Sequence, residues 1–414
     1  MRAVKLTIPG TYWDSQIYSG ELLLLDEDGA LFHVDWRQAV DVIADQNPSV
    51  QTAVRVAFTD SDLFYNPKVR KILLDPELST PIINQLKALS NLQLQADFNI
   101  WGKFLRKTQS PFDFLPLDTE IYYNRIIAGG DNGLFSAPRG FSRSFKINTE
   151  KHHDATFFQV KASDSYTAIA AAAGDDGLFE FDFKADQAEF DKETLLSPRP
   201  CSACDWSFQS VIGWTRNNAF FANFKESQAK DSKRKSRVFD KVLEASQAFV
   251  DEIGQTNSSQ TFFWGAREKV YRLTENGISV SNYNNTQNKI KNNKGKESNI
   301  FGQLGFKVHA FDASKVVATG TAPFGTVIEM MDSLIVWRSD GEFVEFTGAP
   351  THWRVFPRSE NYSNQLHIIY EDRLEIISFV HDYFVDQKTK LAGFSRGPNN
   401  DFFDNESFKA NFNI

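Results

Sequence analysis

The only two cysteines, Cys201 and Cys204, stand in a Cys-Ser-Ala-Cys stretch, the spacing of a redox dithiol or of half a zinc site. A structural zinc needs four ligands and no second cysteine pair exists, while a thioredoxin-type dithiol needs a strand-to-helix setting. "RPCSACDWSFQSVIGW" reads instead as the start of a β-sheet unit, so both thiols are expected to be packed, as free cysteines commonly are. His152, His153 and Asp154 put three metal-capable side chains in a row. Neighbours on a strand point to opposite faces and rarely share an ion, so an exposed loop is the expectation there. Asp26, Asp28, Asp131, Asp175, Asp176 and Asp340 are turn formers on separate hairpins, whereas calcium needs six or more oxygens at one point. No nucleophile elbow, phosphate-binding glycine loop with Lys-Ser or Lys-Thr, or His-Glu-x-x-His helix occurs. No catalytic residue, metal or cofactor is expected.

Two stretches could bind rather than react. Lys233, Arg234, Lys235 and Arg237 form a basic cluster in "KESQAKDSKRKSR", either a solvated loop or a docking point for an acidic partner or nucleic acid. No aromatics interleave with these cations, and a formal charge of −8 argues against nucleic acid as the main partner. The tail over residues 385–414 carries Phe394, Phe402, Phe403, Phe408 and Phe412 in an Asn-rich setting without helical or strand period. Those side chains either pack over the fold's rim or dock a partner.

The elements that would carry these residues come from a repeat. "RIIAGGDNGLFSA" and "TAIAAAAGDDGLFEF" share an apolar strand, an Asp-Asn-Gly or Asp-Asp-Gly turn and a second strand opening Leu-Phe. Gly takes positive φ without a Cβ penalty, so each reads as a β-hairpin. Weaker copies turn at Gly29, Asn218, near Glu268, at Gly341 and near Arg373, giving seven hairpins. Three of the six intervals between them fall near the roughly 40–50-residue period of a four-stranded propeller blade.

In "IIAGGDNGLFSA", Gly130, Asp131 and Gly133 stand where the second and third strands of a blade turn, and the pattern resembles the WD40-like β-propeller superfamily. The resemblance implies an all-β propeller, with seven blades favoured and six or eight allowed. The Trp-Asp dipeptide of that family does not recur at the third strands, which leaves a divergent member or another propeller family open. A four-stranded blade has two apolar faces and buries them only against neighbours, a task suited to 38 Phe and eight Trp. The long interval before Gly133 holds a helical insertion within residues 36–118, between the first two blades. "DWRQAVDVIADQ", "PKVRKILLDP" and "STPIINQLKALSNLQL" suit helices, the last with Thr80 as N-cap, Pro81 at the first helical position, and Ile82, Leu86, Leu89 and Gln93 on one face. Residues 281–299 are polar and read as a flexible loop. "AVKLTI" is expected to close the ring by pairing with a strand from residues 382–414.

At 414 residues with 41% hydrophobic and 24% charged side chains, the chain is expected to fold as one propeller over residues 1–414. No apolar run approaches the roughly eighteen residues of a membrane span, and two cysteines are too few for a secreted disulfide framework, so the expected compartment is cytoplasmic. The expected function is a non-catalytic protein-protein interaction scaffold, a subunit of a multiprotein assembly that presents its loops, insertion and tail to protein partners. The alternative is a small-ligand-binding protein or metal-dependent enzyme using the propeller's central channel.

Overall fold

The computed structural model describes residues 3–59, 72, 75–96, 101–139, 149–163, 165–215, 218–228, 235–244, 261–266, 269–274, 277–283, 301–307, 312–338, 343–359 and 361–379. Seven sheets of the blade type follow one another along the chain, the arrangement of a seven-bladed β-propeller. Blade 1 comprises residues 14–35 and 105–109, blade 2 118–153, blade 3 159–197, blade 4 203–244, blade 5 262–307, blade 6 316–347, and blade 7 352–378 with residues 4–9. The chain divides into two compact units: residues 110–320, with blades 2 to 5, and residues 1–109 with 321–414, with blades 1 and 7 and most of blade 6. The second strands, such as Arg125–Gly130 and Ala168–Ala172, are buried throughout and read as near-continuous apolar runs. Fourth strands such as Leu105–Gln109 are mostly exposed and polar.

Five of the seven expected hairpins join the second and third strands of a blade. The other two are displaced by one strand. Glu268 and Gly341 lie outside the described residues, but the strands flanking Glu268, Phe262–Ala266 and Lys269–Thr274, are the first and second of blade 5. Those flanking Gly341, Ser333–Arg338 and Phe343–Thr347, are the third and fourth of blade 6. Turns also join first to second and third to fourth strands, so a turn template does not say which connection it has found.

In the unit of residues 110–320, the two near-identical motifs turn differently. Gly130 pairs with Gly133 around the two residues Asp131 and Asn132, with Gly133 at φ +128. In blade 3 the pairing stops at Ala172 and Leu178, and residues 173–177 close a longer loop with Gly177 at φ +100. What the two share is a latch to the following blade. Phe157 N–H donates to Gly130 O over 3.1 Å, and Gly174 exchanges two 2.8 Å backbone hydrogen bonds with Cys201. The first strands of neighbouring blades are linked too. Asp118 Oδ2 accepts from Val160 N–H, Gln159 Oε1 from Cys204 N–H and Asp205 Oδ2 from Gly265 N–H, at 2.8, 2.8 and 3.0 Å. Each such acceptor satisfies a backbone donor that burial would otherwise leave unpaired.

In the unit of residues 1–109 and 321–414, the N-terminal strand Val4–Pro9 completes blade 7. Its partner is Arg373–Ser378, paired antiparallel from Val4 opposite Ser378 to Pro9 opposite Arg373. This corrects the expected partner within residues 382–414: the third strand of the last blade already offers the open edge. On its other side Val4–Pro9 pairs parallel with Leu94–Gln95 at the end of the helical insertion.

That insertion leaves blade 1 after its third strand, Ala30–Asp35, and returns to its fourth, ahead of blade 2. Helix α1 is Trp36–Gln46, capped by Asp35 accepting from Gln38 N–H; α2 is Gln51–Phe58; α3 is Pro76–Leu89. Helix α3 starts earlier than expected, because Asp75 and Pro76 supply a cap and first-turn proline one turn upstream of Thr80 and Pro81. Pro81 is therefore inside the helix, and Gln93 lies beyond its end, exposed. "PKVRKILLDP" falls almost wholly outside the described residues. The helices bury Trp36, Ala39, Val40, Ile43, Val54, Phe58, Leu86 and Leu89 in one core with Val4, Leu6, Ile8, Ile369 and Ile376 of blade 7. The last carbonyls of α2 would be orphans. Phe58 O accepts from Trp36 Nε1 and Gln365 Nε2, and Ala57 O from Ser378 Oγ at 2.7 Å.

Candidate functional site

Most polar side chains that could do chemistry are committed to packing. Cys204 opens the inner region of blade 4 on strand Ala203–Ser207, and Cys201 sits just before it; both are buried. Burial pushes the Cys201 thiol up to about 12 and Cys204 well above its usual range. Neither is a poised thiolate.

The His152–His153–Asp154 stretch is not an exposed loop. His152 and His153 end the fourth strand of blade 2, Glu150–His153, which carries a register shift between Lys151 and His153. His152 stacks on Phe190 at 3.8 Å, with Nε2 2.7 Å from Ser136 Oγ. Burial, then the nearby Arg125, lowers its pKa to about 4. Arg125 binds Ser136 Oγ and Glu150. His153 turns instead to Glu193, its Nδ1 3.0 Å away, and Lys151 pairs with Asp154. The register shift interrupts the alternation, and both imidazoles pack on aromatic side chains of blade 3, His152 on Phe190 and His153 on Phe179 and Phe181.

Of the basic cluster, Lys233 and Arg234 lie outside the described residues, and Lys235 opens the strand Lys235–Glu244, the fourth of blade 4. Arg237 is no part of a solvated loop. Its guanidinium is 9% exposed, with Nη1 2.8 Å from both oxygens of Glu180 in blade 3 and Nε donating to Gln209 O. It lies over the Phe224 ring at 3.2 Å and faces Tyr166 and Trp206 at 5.0 and 5.1 Å. This arginine joins two blades. Phe402, Phe403, Phe408 and Phe412 lie outside the described residues, as does Phe394. Of residues 281–299 only Ser281 to Tyr283 are described, ending the third strand of blade 5.

The other unit holds a pairing that the sequence spreads over 352 positions: Ser15 Oγ lies 2.7 Å from His367 Nδ1. The pair has nucleophile-and-base chemistry in outline, but both residues are fully buried and burial drops the His367 pKa to about 3. Beside it, Arg354 binds Asp14 through two 2.8 Å hydrogen bonds, joining the first strands of blades 7 and 1. The arrangement fastens blades.

Among the described residues several large apolar side chains also stand outside this packing. In the unit of residues 110–320, Leu115, Leu117 and Phe158 are 38%, 40% and 45% exposed. Their segments meet at Gly129 and Gly130, where Leu117 N–H donates to Gly129 O and Phe157 N–H to Gly130 O, while the Phe158 ring lies against Gly174. A Cβ on Gly129 would meet Phe157 Cβ at 2.9 Å, and one on Gly130 the Phe114 ring at 2.7 Å. The double glycine lets both approaching segments lie directly on the backbone. Pro116 and Phe157 point inward and are buried, so Leu115, Leu117 and Phe158 are turned outward by alternation. Phe112, Phe114 and Phe135 form a series of tilted rings with centroids 5.8 and 5.1 Å apart. "GGDNG" was legible as a turn; that its glycines seat two other segments carrying exposed side chains was not.

No protein-family model and no curated protein matches the chain. Among solved structures it is similar to the WD40 beta propeller domain of Doa1, at 7% identity over 93% of this chain and 95% of that one, with a TM-score of 0.45. It is also similar to the computationally designed Ika8 protein, at 9% identity over 90% and 99%, with a TM-score of 0.44. The assignment of the fold rests on the strand pairing itself. Among the described residues no helix is long and apolar enough to cross a membrane.

Proposed function

We propose that the protein is a non-catalytic interaction scaffold whose docking surface is formed by Leu115, Leu117 and Phe158 on blades 2 and 3. One observation carries the reading: three large apolar side chains stay exposed on two segments whose backbones both hydrogen-bond to one double glycine, beside polar groups that are paired. Single exposed apolar residues are ordinary, but several carried by two abutting segments and bordered by polar residues suit a binding surface. Blades latched by backbone and side-chain hydrogen bonds supply a rigid base for it. The helical insertion packs one apolar face against blade 7, while Ile72, Leu78 and Leu92 stay exposed on it.

The test is quantitative affinity capture of the full-length protein from its native cells, comparing the natural chain with the Leu117→Ser/Phe158→Ser variant. A stoichiometric protein retained by the first and lost from the second is expected. Equal retention by both would sink the proposal.

A further inference from the structure

Resting on that reading, we infer that the Leu115, Leu117 and Phe158 surface takes a short peptide segment of a partner protein, with apolar anchors flanked by lysine or arginine. Three side chains make a small patch, far below the area of a standard domain-domain interface, so its occupant is a segment. Its charge follows from what borders the patch. Asp113 precedes Phe114, whose ring lies on Gly130; Asp131 follows Gly130; and Asp175 and Asp176 follow Gly174, which the Phe158 ring covers so closely that a Cβ there would meet it at 2.6 Å. All four carboxylates are exposed. The neighbouring cations are already engaged, Lys151 with Asp154 and Arg125 with Glu150. The local field is therefore negative, and it favours approach by a basic segment and disfavours an acidic one or a phosphate backbone.

The apolar centre and the acidic border have separable effects. Desolvation of the anchors sets affinity, so Phe158→Ser should weaken binding at least about tenfold. The carboxylates act through solvent, so Asp131→Asn/Asp175→Asn should weaken it about threefold to fivefold, mainly in the association rate and only at low salt.

The experiment pans a displayed random dodecapeptide library on the immobilised full-length protein and measures enriched peptides by fluorescence anisotropy. The natural chain is compared with Leu117→Ser/Phe158→Ser and with Asp131→Asn/Asp175→Asn, each verified as folded by its thermal melt. Enriched peptides combining apolar anchors with lysine or arginine, weakened by both variants and by salt, would establish the inference. Peptides with no basic bias that still lose binding to Leu117→Ser/Phe158→Ser would overturn the inference and leave the docking surface standing. Peptides that bind that variant as well as the natural chain, or an absence of enrichment, would overturn both.

Discussion

Replacing Arg237 by methionine removes the guanidinium that joins blade 3 to blade 4 and lies over Phe224, while keeping an unbranched apolar stem. Both ions of the pair are nearly dry, at 9% and 6% side-chain exposure, and 2.8 Å apart. At an effective dielectric constant of about 20, charge centres about 4 Å apart attract by about 4 kcal/mol. Burial opposes this on each side: it is the largest influence on both groups, raising the Glu180 pKa and lowering that of Arg237. The intact pair therefore adds little net stability, yet losing one member strands the other without compensation, at about 3–5 kcal/mol. Arg237→Met should be destabilised by that amount, whereas Glu180→Leu/Arg237→Met should lie within about 1–2 kcal/mol of the natural protein. The pH dependence has a definite sign. A carboxyl whose folded pKa is raised favours the folded state at low pH, and that advantage is lost as pH rises through the folded value. The deficit of Arg237→Met should accordingly be larger at neutral pH than in mild acid. Urea unfolding of the full-length variants by tryptophan fluorescence measures it, with Trp206 beside the guanidinium as a local reporter. A loss below about 1 kcal/mol in Arg237→Met, or a double variant as unstable as the sum of the singles, would refute the argument.

Three further outcomes can be checked. Gly265→Ala places a Cβ against the carbonyl of Trp206 in the adjoining first strand; with backbone unable to yield, it should cost at least about 1–3 kcal/mol, read by denaturant midpoint. His152 is held neutral with a pKa of about 4 against an ordinary 6.5, so its contribution is present above about 6.5 and lost as pH falls through about 4. The stability difference between the natural chain and His152→Gln should narrow across that window in melts at stepped pH. Cys201 and Cys204 should resist a thiol-specific chromogenic reagent in the native state and react together on unfolding, which rapid native labelling would contradict.

The blade repeat was legible because Gly, Asp and Asn carry local backbone information at turns such as Asp131–Gly133. Some first-to-second-strand turns hide it: Phe208 adopts φ +51 and Tyr123 φ +44, and neither is a usual turn former. The helices showed themselves by their period, but their docking did not, since Ala57 O and its partner Ser378 are 321 residues apart. The same distance problem conceals Arg237. Its neighbours in sequence are polar and suggest solvent, while Glu180 and the aromatic groups that bury it come from other strands. The exposed Leu115, Leu117 and Phe158 carry no motif at all, because their segments are brought together at two glycines rather than by spacing.

Val4–Pro9 has two partners on very different schedules of synthesis. A ribosome adding about 5–20 residues per second produces Arg373–Ser378 about 20–70 s after the strand it pairs with. Leu94–Gln95, on the strand's other edge, follows about 4–18 s after it, together with the helices whose core includes Val4, Leu6 and Ile8. The insertion thus offers the strand a partner edge and a shared core long before its own blade has been made.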